Sequence, residues 1–329
     1  MTPTFEHGWG WMSRRASQVG HTLGMRTPSP LPAHLGKNFS FEAAVLSGVS
    51  PRRLRASDLT TEFRGSRSVP RPNKRDNEFA HQHEELLRRC LAFAAVAPAE
   101  FCFSYGTAAT LYGIPLPARL RHDPQIDVSV PTVQPHLRRR GVRGHRLEAW
   151  RVSTFLRMPC VTPATAWAQV APLLSIDELV VAGDFLLRRK RPLSSMGDLV
   201  AAAAVPRRGC RQARMALLDI RAGTDSPPES EVRLVLVRGG LPEPMIGFAV
   251  LHDGYFVGTP DLAYVDEMVA IEYQGSGHWE DRTVFEDDIT RRELFERAGW
   301  KVILVTAPRL RDRARLVAEV AAVLRERAV

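Results

Sequence analysis

The chain has 329 residues, of which 44% are hydrophobic and 25% are charged; this composition excludes wholesale disorder and is typical of a soluble protein with about two or three domains. The longest nearly apolar run, residues 91–98, is far shorter than the ~20 residues that a bilayer-spanning helix needs, and residues 1–36 contain no apolar stretch typical of a secretory signal. The four cysteines stand far apart without metal-ligand spacing, so we expect free thiols in a reducing cytoplasm and no membrane association.

Positive charge is unevenly distributed along the chain. The 45 Lys and Arg residues exceed the 36 Asp and Glu residues, which gives a net charge of +9. Residues 1–225 contain 32 basic and 18 acidic residues, whereas residues 226–329 contain 13 and 18. The upstream excess predicts a surface for a polyanion such as DNA. Only four of the basic residues are lysines, and such an arginine bias is equally typical of a GC-rich genome.

The N-terminal part divides into a tail and a small module. Residues 1–36 lack a sustained apolar period, so we expect a disordered tail or a segment upstream of the true start. In residues 37–76, Ser40 is placed to cap a short helix over Phe41–Leu46, and a second short helix follows a glycine break. Residues 60–69 predict a strand pair. This order indicates a winged-helix-like, DNA-binding module; a small helical lead-in with solvated arginines is the alternative.

Residues 77–225 predict one α/β domain after a proline-rich, charged linker. Apolar spacing over residues 81–96 predicts a helix, and residues 126–130 alternate as a strand. Thr162 and Ser175 are placed to cap two further helices.

An arginine-rich segment with two glycines interrupts this domain at residues 137–146. Its density of positive charge predicts a surface that contacts DNA phosphates, although a solvated loop in an arginine-rich protein explains it equally well. The candidate phosphate-contacting residues are Arg138, Arg139, Arg140, Arg143 and Arg146.

Short sequence pieces of this region carry a resemblance to a known family. The pieces are Ser104-Tyr105-Gly106-Thr107-Ala108-Ala109, Tyr112-Gly113, Val130-Pro131 and Val161-Thr162-Pro163. Together with the N-terminal helices, they resemble antitoxins of AbiE-type (type IV) toxin–antitoxin systems over roughly residues 39–200. The family tends to have Pro-Ala-Arg-Thr where this chain has Pro163-Ala164-Thr165-Ala166. The resemblance implies binding to promoter DNA and a cognate toxin protein as partner.

The last part of the chain predicts a second α/β domain over residues 226–329, in the element order α-β-β-β-α-β-α. Ser226-Pro227-Pro228-Glu229 has the pattern of a capping box at the start of its first helix. The predicted strands occupy residues 245–251, 255–257, 260–264, 268–273 and 301–306, with a hairpin turn at 252–254. The two later helices are predicted over residues 284–298 and 308–327. Helices on both faces of a central sheet give an α/β class.

Two carboxylates lie on neighbouring strands of this domain, which suits metal-assisted cleavage of phosphodiesters. Asp261 begins one strand, and Glu272 lies in the next strand, across a tight turn. Their oxygens suit Mg²⁺ or Mn²⁺, which takes one or two carboxylates together with substrate phosphate oxygens. Glu229 on the first helix is placed to orient a metal-bound water. Alternatives are that Asp261 caps a strand and that Glu272 pairs with Arg291.

A closer resemblance covers roughly residues 226–310. Its residues are Pro260-Asp261, Glu272-Tyr273-Gln274-Gly275, His278, Asp288-Ile289-Thr290-Arg291 and Gly299-Trp300. They resemble the very-short-patch-repair endonuclease-like branch of the PD-(D/E)XK nucleases. The resemblance implies that Asp261 and Glu272 ligate the metal and that His278 is a general acid/base. It also implies that Asp288 supports the site and that Arg291 supports it or contacts phosphate.

Gln274 departs from both family patterns, which place lysine or aspartate at this position. A neutral amide supplies neither a positive charge nor an anionic ligand, and loss of such a group typically costs orders of magnitude in rate. The sequence therefore predicts a DNA-acting protein with a metal-dependent endonuclease domain whose candidate catalytic residues are Glu229, Asp261, Glu272, Gln274 and His278. The alternatives are a non-catalytic DNA-binding regulator or antitoxin with a degenerate nuclease fold, and an interaction scaffold without a DNA role.

Overall fold

The computed structural model describes residues 28–70, 78–121, 123–148, 151–275 and 291–328, and it has a mixed α/β architecture. The α-helices of these ranges are α1 (Phe41–Leu46), α2 (Glu78–Ala94), α3 (Tyr105–Leu111), α4 (Ala118–Arg121), α5 (Pro163–Val170), α6 (Ile176–Leu186), α7 (Met196–Ala204), α8 (Cys210–Leu217), α9 (Pro227–Arg238), α10 (described over residues 291–297), α11 (Ala307–Arg311) and α12 (Arg313–Arg327). The strands are β1 (Asn38–Ser40), β2 (Ser66–Ser68), β3 (Cys102–Phe103), β4 (Ile126–Pro131), β5 (Val142–Leu147), β6 (Val152–Phe155), β7 (Met158–Val161), β8 (Met245–Ile246), β9 (Val250–His252), β10 (Tyr255–Gly258), β11 (Leu262–Tyr264), β12 (Val269–Gln274) and β13 (Lys301–Thr306). None of the described helices is long and apolar enough to cross a membrane.

The N-terminal module contains the predicted first helix, and the predicted strand pair is present as a single bridge. The Ser40 hydroxyl accepts a hydrogen bond from the backbone N–H of Ala43 and caps α1. Thr60 pairs with Ser68 in an antiparallel bridge through two backbone hydrogen bonds, and β2 also pairs with β1. Leu31 and Leu35 pack on the small core of this module, so part of the tail predicted over residues 1–36 belongs to the folded module. Residues 1–27 and the linker residues 71–77 lie outside the described ranges.

The middle domain is built on a five-stranded mixed sheet in the order β5-β4-β3-β7-β6. One apolar cluster includes Phe93 of α2 together with Phe103 and Val128 of the sheet. A second cluster gathers α5 and α6 with residues of α3, α7 and α8, around the fully buried Trp167. The alternative of a solvated loop over residues 137–146 does not hold for its second half, because residues 142–147 pair with β4 as a strand.

The C-terminal domain has a four-stranded sheet in the order β13-β12-β11-β8. Strands β12 and β13 are parallel, and β11 is antiparallel to both β12 and β8. Helices α9 and α12 pack on one face, and Phe295 of α10 packs with Trp300 in a separate cluster.

Two predicted elements of this domain are divided by local backbone geometry. The strand predicted over residues 245–251 is interrupted at Gly247, whose φ is +65°, so β8 and β9 belong to different sheets. The predicted hairpin turn is confirmed: Asp253 and Gly254 both have positive φ, as a tight turn between β9 and β10 requires. The last predicted helix is divided at Asp312, whose side chain caps α12 through the N–H of Arg315.

A buried ion pair connects the middle and C-terminal domains. Arg233 of α9 is 1% exposed, and its Nη2 lies 2.9 Å from the Oδ2 of Asp184 on α6, which is fully buried. Its Nη1 also contacts Glu243 at 2.6 Å. Leu234 belongs to the apolar core of the middle domain. The first helix of the C-terminal domain is therefore embedded in its neighbour and is not attached through a loose linker.

Candidate active site

The pairing of β11 with β12 brings the two predicted metal ligands to the same end of the sheet. Leu262 is paired with Ile271, and Asp261 and Glu272 each stand one residue beyond this pair. Side chains alternate along a strand, so Asp261, Glu272 and Gln274 share the face opposite to Leu262 and Ile271, which point into the core against α9 and α12. The sheet register thus confirms the predicted proximity of the two carboxylates.

Asp261 occupies an unusual electrostatic position for a carboxyl group. Its Oδ2 accepts a hydrogen bond of 2.8 Å from the backbone N–H of Tyr273. Burial, which is the largest cause, and the carboxylates of Glu229 and Glu272 raise its pKa to about 7, against the opposing effects of the Tyr273 N–H and of Arg291. Asp261 therefore lies within electrostatic reach of two other carboxyl groups, and its pKa is near neutral pH.

Glu229 is held at this site by the backbone rather than by a capping box. The Ser226 side chain makes no cap hydrogen bond at the start of α9, so that prediction is wrong. Instead, Glu229 Oε2 accepts a hydrogen bond of 2.8 Å from the N–H of Asp225. The carboxylate of Glu229 thus bonds to the N–H of Asp225 rather than to that of Ser226, which a capping box requires.

Arg291 occupies the position next to Glu272. Its Nη2 lies 2.8 Å from Glu272 Oε1 and donates a hydrogen bond of 2.7 Å to the carbonyl oxygen of Thr259. The pairing of Glu272 with Arg291, an alternative left open by the sequence, is therefore present. Gln274, the last residue of β12, is partly buried opposite Thr306 and adds no charge to the cluster.

The remaining predicted site residues of this domain, His278 and Asp288, lie outside the described residues. Within the ranges that are described, no group of three or more His, Cys, Asp and Glu side chains has the geometry of a metal site. Asp261 and Glu272 are nevertheless hard oxygen donors on one face, and two carboxylates suffice for Mg²⁺ when water and phosphate oxygens complete its shell. The donor set fits such a cation, and metal binding stays a prediction.

The predicted phosphate-contacting arginines fall into two groups. The guanidinium of Arg139 donates to the carbonyl oxygens of Val96 and Arg64 at 3.0 and 2.8 Å, and burial lowers its pKa. Arg143 contacts Asp123 at 2.7 Å. Both are engaged within the protein, although Arg143 is exposed; the other three of the five, which are also exposed, are Arg138, Arg140 and Arg146. Contact with nucleic acid stays a prediction for all five.

A cavity in the middle domain was not predicted from the sequence. It has a volume of about 730 Å³, and its lining includes Tyr105, Asp127, His145 and Gln169. These residues come from four separate segments, and none has a spacing typical of a site. Tyr105 has a left-handed φ of 48°, which its position in the sequence does not predict.

Comparison with known proteins identifies relatives but no family. No protein-family model matches the chain. Over 247 residues it is 27% identical to the uncharacterized protein MT2308 of Mycobacterium tuberculosis strain CDC 1551 / Oshkosh, and the aligned region covers 74% of this chain and 88% of that protein. The uncharacterized protein Rv2248 of strain H37Rv matches with the same figures. The crystal structure of the RV2827C protein from Mycobacterium tuberculosis covers 68% of this chain and 90% of its own, with 12% identity and a TM-score of 0.35.

Proposed function

We propose that residues 226–329 form a PD-(D/E)XK-like nuclease domain that hydrolyses DNA phosphodiester bonds with Mg²⁺ or Mn²⁺. The observation that carries this proposal is the meeting of Asp261 and Glu272 at one end of two paired strands, on one face, with Glu229 within electrostatic reach. Buried like charges are unfavourable without a counterion, and a divalent cation is the counterion that such oxygens bind.

The sheet supports the same assignment. A helix packed on three antiparallel strands, followed by a helix and a parallel fourth strand, is the order that the resemblance to PD-(D/E)XK nucleases implies. The same proposal assigns the N-terminal module to the winged-helix class and residues 77–225 to the antitoxin-like class. The mixed α/β class of the fold does not depend on this proposal.

Each residue of the site has a role in this proposal. Asp261 and Glu272 would hold the cation, which would supply Lewis-acid activation of the phosphate and of water. Glu229 would orient the attacking water, and His278 would transfer a proton. Arg291 leaves Glu272 for a phosphate oxygen when DNA binds, since a guanidinium pairs well with either anion.

DNA affinity comes mainly from the upstream region in this proposal. Residues 226–329 are net acidic, whereas residues 1–225 have a net charge of +14. The exposed arginines Arg138, Arg140 and Arg146 contact phosphates, which makes the affinity fall steeply as the salt concentration rises. In this proposal the protein acts on DNA in the cytoplasm and has no role at a membrane.

A second candidate function is a non-catalytic DNA-binding regulator, with a toxin protein as partner and a degenerate nuclease fold. Two observations favour it. Gln274 lacks the charge that an active site of this type has at this position, and Arg291 already neutralises Glu272 at 2.8 Å. A site stabilised by an internal cation needs no metal to fold.

A cleavage assay separates the two functions. The full chain is incubated with single-stranded, mismatched and branched DNA in the presence of Mg²⁺ or Mn²⁺, and Asp261→Ala and Glu272→Ala are compared with Asp266→Ala, an exposed turn residue of the same domain. We expect cleavage by the wild type and by Asp266→Ala but not by the other two. Cleavage that survives both substitutions contradicts the nuclease proposal, and DNA binding without cleavage by the wild type supports the regulator.

A further inference from the structure

The middle-domain cavity is a second candidate site, separate from the carboxylate cluster. Its lining residues all lie between positions 82 and 208, on α2, the start of α3, strands β4 and β5, the end of α5 and the loop before α8. Its volume of about 730 Å³ lies within the range of pockets that enclose small-molecule ligands and cofactors. Three features of its wall specify the ligand chemistry.

The first feature is a buried amide that lacks an acceptor. Gln169 is 2% exposed, and its Oε1 accepts a hydrogen bond of 2.8 Å from the backbone N–H of Tyr105. Because that N–H can only donate, the orientation of the amide is fixed and its Nε2 must face elsewhere. The Nε2 is buried without a hydrogen-bond partner among the described residues. A ligand that offers an acceptor would satisfy it, because a buried donor without a partner is unfavourable.

The second feature is an aromatic stack on the cavity wall. The ring of Tyr105 stacks on the imidazole of His145 with centroids 3.9 Å apart and an interplanar angle of 21°. His145 Nε2 is in turn 2.9 Å from Oδ1 of the buried Asp127, which fixes the ring. Tyr105 has a left-handed φ of 48°, and such strain in a non-glycine residue is concentrated at ligand sites. The stack offers flat apolar surface to a planar ring.

The third feature is unpaired positive charge. Among the guanidinium groups of the lining, Arg143 is paired with Asp123 and Asp127. Arg207 is half-buried, burial lowers its pKa, and it makes no ion pair within the described part of the chain. Arg208 follows it at the exposed rim. A partly buried cation without a counterion favours an anionic ligand.

We propose that this cavity binds a nucleoside phosphate. The base packs on the Tyr105–His145 stack and offers a carbonyl oxygen or ring nitrogen to Gln169 Nε2. The phosphate pairs with Arg207 and Arg208. Inorganic phosphate satisfies only the last of the three features, and an uncharged aromatic molecule satisfies only the first two.

Isothermal titration of the full chain tests this proposal, with ATP, GTP, CTP, UTP and inorganic phosphate as separate probes. Divalent cations are omitted, so that binding does not depend on the carboxylate site. We expect at least one nucleotide to bind at least tenfold more tightly than inorganic phosphate. No binding of any nucleotide, or equal binding of nucleotide and phosphate, overturns the proposal.

Variants locate the binding. Gln169→Glu keeps the acceptor for the Tyr105 N–H but replaces the donor by an anionic oxygen, so we expect at least tenfold weaker nucleotide binding. Arg207→Gln should weaken it similarly, and Arg211→Gln, an exposed arginine of α8 that does not line the cavity, should not. Circular dichroism confirms folding, and Arg207→Gln suffices if Gln169→Glu does not fold. Unchanged affinity in the folded cavity variants overturns the assignment.

Discussion

The carboxylate cluster and the middle-domain cavity present opposite electrostatic situations. In the first, Asp261, Glu229 and Glu272 lie near one another, and the pKa of Asp261 is raised to about 7. In the second, a buried amide donor and the Arg207 guanidinium have no partner among the described residues. The first site gathers carboxyl groups, of which Glu272 is paired with Arg291, and the second gathers a hydrogen-bond donor and positive charge. In both, the class of ligand follows from what the buried groups leave unsatisfied rather than from the fold around them.

Loss of the buried ion pair between Arg233 and Asp184 should lower the free energy of unfolding more than any other change proposed below. Replacement Arg233→Met leaves Asp184 buried without its cation, and breaking a buried pair costs about 3 to 5 kcal/mol. Urea denaturation measures the loss. Arg238→Met is the control on the same helix, because its contacts with Asp177 and Asp219 are exposed and such pairs contribute about 1 kcal/mol or less. Equal losses in both variants would contradict a special role for the buried pair.

The proposed cleavage should depend on the protonation of Asp261. Only the ionised carboxylate binds a cation, and its pKa is raised to about 7, so we expect the rate to be about tenfold lower at pH 6 than at its plateau above pH 8. Glu229→Gln removes one of the charges that raise this pKa and should shift the profile to lower pH. A profile that is flat between pH 6 and 8, or unmoved by Glu229→Gln, would break the assignment.

The same carboxylate should reduce stability at alkaline pH. The pKa of Asp261 is raised in the folded protein. At pH values between the ordinary pKa of an aspartate and about 7, the folded state therefore keeps a proton that the unfolded state has lost. Stability therefore falls as pH rises through this window. Asp261→Asn should raise the melting temperature by roughly 5 °C at pH 8 without metal, and by less at pH 5. Calorimetry at the two values checks this, and an equal change at both contradicts it.

Arg291 should compete with the metal, which is the smallest effect that we expect. Its guanidinium is 2.8 Å from Glu272 and 43% exposed, so a cation at Glu272 must displace a partly screened ion pair. Arg291→Gln should tighten Mg²⁺ binding about threefold, measured by titration without DNA. Arg292→Gln is the control on the neighbouring position, since Arg292 pairs with Glu296 instead. Weaker Mg²⁺ binding by Arg291→Gln would show that the arginine supports the site rather than blocks it.

Local signals in the sequence predicted much of the fold and the core of the first site. Helix caps such as Ser40, the Asp253-Gly254 turn and the tight turn between β11 and β12 depend on neighbouring residues, and the structure contains them. That last turn was the basis for placing Asp261 and Glu272 close together on neighbouring strands. These features could be predicted because each is decided within a few residues.

Contacts between distant segments could not be predicted in the same way. The Gln169 amide contacts a backbone N–H that is 64 residues away, and Arg233 contacts an aspartate 49 residues away. The segment around Arg143 has the composition of a loop but is stabilised as a strand by β4. In each case packing that is remote in sequence decides the outcome.

The contact of Arg233 with Asp184 limits how this protein can be rearranged. A recombination event that joined residues 226–329 to another protein would carry a buried guanidinium away from its counterion and leave a buried carboxylate behind. Helix α9 also carries Glu229, so the misplaced helix would disturb the carboxylate cluster itself. A fusion that keeps this ion pair must therefore include α6 and begin upstream of Ile176.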